Sequence, residues 1–111
     1  MDMLLKKEEI ASLRLTSKLL KGFADYSRLC IFEVLKDGER TVSEIVEITG
    51  MSQSSISNHL KCLRECDLVN DRQEGKYIYY SISNNKVNDI INLAREIIKE
   101  TSEEKYRCLN Y

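Results

Sequence analysis

Ser54-Ser55-Ile56-Ser57-Asn58-His59-Leu60-Lys61-Cys62-Leu63-Arg64-Glu65-Cys66 is the stretch on which the reading of the chain turns. At about 100° per residue, Ile56, Leu60 and Leu63 fall within roughly 60° of one another and form a stripe that must face a core. Ser54, Ser57, Asn58 and Lys61 occupy a small, polar sector about 140° from that stripe. Cys62 and Cys66 share a third sector, roughly 110° from the stripe on its other side. Side chains at i and i+4 have Cβ atoms about 5–6 Å apart, so both sulfurs can reach one soft metal ion. His59 lies between the thiols and the stripe and reads as a hydrogen-bonding structural residue.

Upstream, Thr41-Val42-Ser43-Glu44 matches a capping box and opens a short third helix with Val42, Ile45 and Val46 inward. Thr49-Gly50-Met51 is a tight turn, after which Ser52 caps the fourth helix, running to about Cys66. Helix, glycine-containing turn, helix is the helix-turn-helix layout. Lys6 to Lys21 is a first helix with Ile10, Leu13, Leu19 and Leu20 on a broad apolar side, ended by Gly22. Asp25 caps a second helix, Tyr26 to Lys36, ended by Asp37-Gly38. Its Cys30, inside an apolar run, is expected to be a buried structural thiol.

Downstream the period changes from helix to strand. Leu68-Val69 begins one strand, Glu74-Gly75 signals a turn, and Tyr77 to Ser83 is a second strand. Ile78, Tyr80 and Ile82 alternate with Tyr77, Tyr79 and Ser81, which predicts one buried and one exposed face. Val87, Ile90, Ile91, Ala94, Ile97 and Ile98 then form a stripe in a fifth helix, followed by a polar tail containing Cys108. The expected fold is mainly α: a winged helix-turn-helix of five helices and a two-stranded hairpin wing, dimeric through its first and fifth helices.

At 111 residues the chain fits one small domain, 1–111, with an ordinary balance of apolar and charged residues. No stretch approaches the roughly 18 apolar residues of a membrane span, and no signal peptide opens it, so a cytoplasmic location is expected. There four cysteines, at spacings of 32, 4 and 42, favour metal or redox chemistry over disulfides. The net charge of −1 argues against bulk affinity for nucleic acid, yet Ser52 to Arg64 holds two cations and no acid. A single histidine, no glycine-rich phosphate loop and no paired acid/base constellation argue against an enzyme. Neither a membrane nor a small organic substrate is expected as a partner.

Several motifs coincide with one family. Ala24-Asp25-Tyr26-Ser27-Arg28, Ser57-Asn58-His59-Leu60-Lys61-Cys62-Leu63-Arg64, Asp67-Leu68-Val69 and Gly75-Lys76-Tyr77-Ile78-Tyr79-Tyr80 carry the match. The span from about Phe23 to Ile98 resembles the winged helix-turn-helix metal-sensing repressors of the ArsR/SmtB type. That family usually has Gly where this chain has Asp67. The third helix lacks the Cys-Val-Cys element of one arsenic or cadmium site type. The fifth lacks the histidines of the zinc or nickel type. Cys62, Cys66 and Cys108 resemble instead the cadmium- and lead-sensing pattern, with two reading-helix cysteines and one from the tail.

The resemblance and the residues together imply a repressor that binds double-stranded operator DNA as a homodimer and releases it on metal binding. Two fourth helices would enter successive major grooves. Gln53, Ser54, Ser55, Ser57 and Asn58 would meet base edges or phosphates, with Lys61, Arg64, Arg72 and Lys76 on the backbone. Three thiolates without histidine favour Cd(II) or Pb(II) over Zn(II), which commonly completes a tetrahedron; As(III), which accepts three sulfurs, stays open. A thiol-redox or persulfide sensor on the same scaffold is the alternative from a different chemistry.

Overall fold

Three helices begin where a side-chain oxygen meets an otherwise unpaired backbone N–H. Asp25 accepts from the Arg28 N–H at 3.1 Å, and Ser52 from that of Ser55 at 3.2 Å. Thr41 accepts from the Glu44 N–H at 3.2 Å while the Glu44 carboxylate accepts from the Thr41 N–H at 2.9 Å, completing the capping box. The computed structural model describes residues 4–101. Its elements are α1 (Lys7–Lys21), α2 (Tyr26–Leu35), β1 (Arg40–Thr41), α3 (Val42–Thr49), α4 (Gln53–Glu65), β2 (Val69–Glu74), β3 (Tyr77–Ile82) and α5 (Lys86–Glu100).

The wing contains the expected hairpin, β2 paired with β3, and one strand more. It is a three-stranded antiparallel sheet in the order β1-β3-β2, because Arg40 and Thr41 pair with Tyr80 and Tyr79. Two residues carry too little pattern to announce a strand. The expected division of β3 into two faces holds only at its base, where Tyr80 and Ile82 pack against the core. Ile78 is 43% exposed, while Tyr79 and Ser81 are half-buried. At its tip the hairpin projects beyond the core, so neither face is covered there.

The core joins the second, third and fourth helices to the base of the wing. Ile31, Phe32 and Leu35 of α2, Ile45 of α3, Ile56, Leu60 and Leu63 of α4, and Leu68, Val69 and Val87 are buried together. Burying a side chain of this size contributes about 1.5–3 kcal/mol, which makes this cluster the main support of α4. Phe23 stacks on Phe32 with ring centroids 5.1 Å apart. By contrast α1 has no buried residue, and Val87 is the one buried residue of α5. Leu13 on α1 and Leu93 and Ile97 on α5 are each more than half exposed, at 54%, 57% and 63%.

The end of α4 is a Schellman turn. Asp67 takes φ 60°, which lets its N–H bond to Arg64 O at 3.0 Å and that of Leu68 to Leu63 O at 2.9 Å. The side chains of Leu63 and Leu68 are both buried, as that motif prefers. Glycine adopts this conformation without strain, which explains the family preference at a position where Asp is among the better tolerated alternatives. The Ser83 hydroxyl then donates to Asp67 O at 2.6 Å, and the Ser83 N–H to Leu68 O at 3.1 Å. The last turn of α4 and the base of the wing are therefore one bonded unit.

Candidate nucleic-acid interface and thiol site

Ser52 fixes where α4 starts, so its first turn presents a polar surface. Gln53, Ser54, Asn58 and Lys61 are exposed, and Ser55 and Ser57 are half-buried. The Gln53 amide donates to the Ser57 hydroxyl at 3.2 Å, and the hydroxyls of Ser52 and Ser54 are 3.5 Å apart. This face offers short donors and acceptors on a rigid helix, the groups that meet base edges and phosphates.

The cations of α4's last turn and of the wing have partners. The Arg64 guanidinium donates to Asp71 at 3.0 Å. Arg72 lies 4.7 Å over the Tyr79 ring and donates to both Glu39 and Glu74. Lys76 sits 5.4 Å from the Tyr77 ring centroid. Arg72 keeps the Glu39 carboxyl below the usual carboxylate range, chiefly by hydrogen bonding, and its own guanidinium is held above its ordinary value by the same contacts. Sequence reading placed Arg64, Arg72 and Lys76 on this surface but missed Glu39, which lies 33 residues from its partner.

His59 serves the structural role expected of it. Its Nδ1 accepts from Arg28 Nε at 3.3 Å, and its Nε2 lies 4.0 Å from Asp25. Arg28 also donates to Lys21 O at 3.2 Å, so one guanidinium links the end of α1, the start of α2 and the middle of α4.

Cys62 is exposed on α4, whereas Cys66 is half-buried and packs against the core cluster. The angular reading put both on one sector. They part in exposure because Cys66 is the C-cap, where the chain leaves the helix; its N–H still bonds Cys62 O at 3.1 Å. Two thiols one turn apart suit a soft ion. No group of three or more His, Cys, Asp or Glu side chains is placed to hold a metal among the described residues. Cys108 lies outside those residues. Cys30 is half-buried rather than buried, because it borders an open groove lined by Tyr26, Val34, Ile48 and Met51. No described helix is long and apolar enough to cross a membrane.

Residues 25–71, from the cap of α2 through Asp71, match the model of bacterial regulatory proteins of the arsR family. A probable mercury resistance operon repressor of Streptomyces lividans is 40% identical over 72% of this chain and 64% of its own length. An arsenical resistance operon repressor of Staphylococcus aureus is 33% identical over 85% of this chain and 88% of its own length. A homodimeric winged helix-turn-helix DNA-binding domain from Mycobacterium bovis superposes with a TM-score of 0.76 at 30% identity, covering 89% of this chain and 92% of that one. These relatives are regulators rather than enzymes, and the Mycobacterium bovis domain shares the winged helix-turn-helix fold described above. The chain belongs to the arsR family of bacterial transcriptional regulators.

Proposed function

We propose that this chain is a homodimeric repressor that releases operator DNA when a thiophilic metal, Cd(II) or Pb(II), is held by Cys62, Cys66 and Cys108. The observation that carries this reading is the position of the two described thiols. Cys62 follows Lys61 directly, one turn beyond Asn58, and Cys66 caps the reading helix one turn further on. The exposed stripes of α1 and α5 support dimerisation, since apolar helix faces of this kind seek a partner. In the dimer, Gln53, Ser54, Ser55, Ser57 and Asn58 face the major groove and Lys61, Arg64, Arg72 and Lys76 the phosphates.

The coupling follows from the bonded unit at the end of α4. Any ligand that draws Cys66 toward Cys62 and a third thiolate strains the Schellman turn. The turn is bonded through Ser83 to the base of the wing. Reading helix and wing then lose their relative setting on DNA. A coupling of about 1–3 kcal/mol, or 5–150-fold in affinity, suffices for release. Binding requires thiolates, so metal affinity falls as the pH is lowered.

A second reading keeps the site and changes the ion. The mercury and arsenical repressors among the relatives favour Hg(II) or As(III), both of which accept sulfur donors. Fluorescence anisotropy on a labelled duplex from upstream of the chain's own gene tests both. Cd(II) or Pb(II) is expected to release the dimer, and Cys62→Ser and Cys66→Ser to stay bound. Release by As(III) or Hg(II) alone selects the second reading.

A further inference from the structure

Arg72 is engaged within the protein by a group that imitates its proposed target. Its Nε donates to Glu39 at 2.8 and 3.1 Å, Nη2 makes a second contact with the same carboxylate, and Nη1 donates to Glu74 at 3.1 Å. A carboxylate meets the planar guanidinium fork as a phosphate does. Glu39 reaches the fork from the turn before β1, with Tyr79 of β3 beneath it. Arg72 and Glu39 keep 50% and 36% of their side-chain surface in solvent, so the pair can exchange partners without unfolding anything.

We infer that Glu39 is an internal competitor for DNA, occupying the phosphate-binding fork of Arg72 and lowering affinity for every sequence. The inference rests on the proposed placement of Arg72 against the DNA backbone. Each phosphate that Arg72 neutralises releases counterions from the DNA whether or not Glu39 held the fork before, so the competition lowers affinity without changing the salt slope. An exposed ion pair of this kind is worth up to about 1 kcal/mol, or roughly fivefold in affinity per protomer. With glutamine at position 39 only Glu74 still holds the fork, so most of that competition is gone. Keeping the complex weak leaves it within reach of an effector coupling of ordinary size.

The test is a salt titration of binding to the upstream duplex and to a random-sequence duplex of equal length. It compares the wild-type chain with Glu39→Gln, Arg72→Gln, the double variant and Asp37→Asn. Asp37→Asn removes the same charge two residues away, from an exposed carboxylate. Glu39→Gln is expected to bind both duplexes about two- to fivefold more tightly per protomer than wild type, with the slope unchanged. Asp37→Asn should gain less, and Glu39→Gln should gain no more than Asp37→Asn once Arg72 is gone. Unchanged binding by Glu39→Gln, or a gain no larger than that of Asp37→Asn, overturns the inference, as does weakened binding, which would make Glu39 a group that aims Arg72 at DNA. If Arg72→Gln costs no affinity in the Glu39→Gln background, the placement of Arg72 on DNA falls, and the inference with it.

Discussion

Replacing Gly22 with alanine tests the packing that joins α1 to the base of the wing. Gly22 has ordinary helical dihedrals, φ −63° and ψ −19°, so conformation does not demand glycine there. Space does. A Cβ at Gly22 would lie 2.5 Å from Leu68 Cδ1 and 3.1 Å from Leu19 O. Carbon atoms prefer about 3.5–4.0 Å, so Leu68 must retreat by roughly 1 Å. Leu68 is 4% exposed and packed with Leu63, which leaves it little room. Forcing an extra methyl into such a site costs about 1–3 kcal/mol. The reduced freedom of alanine in the unfolded chain returns about 0.4–1 kcal/mol. The net expectation is a loss of about 1–2 kcal/mol, or several degrees in Tm for a chain of this size. Urea unfolding by circular dichroism, at fixed protein concentration because a dimer's stability depends on it, measures the loss. Leu68→Val removes the clashing δ-carbon, so the double variant should lose less than the sum of the single losses. A Gly22→Ala protein as stable as wild type would refute this packing reasoning.

At Asp67, the left-handed φ makes glycine neutral or stabilising by about 0.5 kcal/mol, whereas valine should destabilise by about 1–2 kcal/mol; urea midpoints separate the two. On DNA, Lys61→Ala should weaken binding to all sequences and reduce the salt slope by about 1 per protomer, while Asn58→Ala should lose about 1–3 kcal/mol on the operator alone. Anisotropy titrations on operator and random duplexes distinguish them. The Glu33 carboxyl is held below the usual range by Lys36 first and then Arg95. A depressed carboxylate stabilises the fold fully above its unfolded value, near pH 4.3, and the contribution disappears as pH falls through the lower folded value. Thermal melts from pH 6 to 3 should therefore show a shallower acid decline for Glu33→Gln than for wild type.

The helices were legible because each carries a local signal that decides it. Asp25, Thr41 and Ser52 cap where their side-chain chemistry says they should, and the period of Ile56, Leu60 and Leu63 placed α4 on the core. The hairpin announced itself through Gly75, which adopts φ 62° at the turn. What escaped depends on distance along the chain or on the edge of a cluster. Strand β1 exists only because β3 is there to pair with it. The Arg28–His59 and Arg72–Glu39 contacts span 31 and 33 residues, which no local period can report. Periodicity also gives direction but not depth: it put Cys62 and Cys66 on one sector without showing that the chain turns inward at Cys66. For the same reason the apolar setting of Cys30 suggested burial, although α2 and α3 leave a groove beside it.

Cadmium titration of the reduced protein, followed by sulfur-to-metal charge-transfer absorption, tests the proposed thiol site most directly. Wild type and Cys30→Ser are expected to saturate at one ion per protomer with the same band intensity. Cys62→Ser, Cys66→Ser and Cys108→Ser should each lose about a third of that intensity or fail to bind, in keeping with three thiolate donors. A band abolished by Cys30→Ser, or unchanged by Cys62→Ser and Cys66→Ser, contradicts a sensor built on the end of the reading helix.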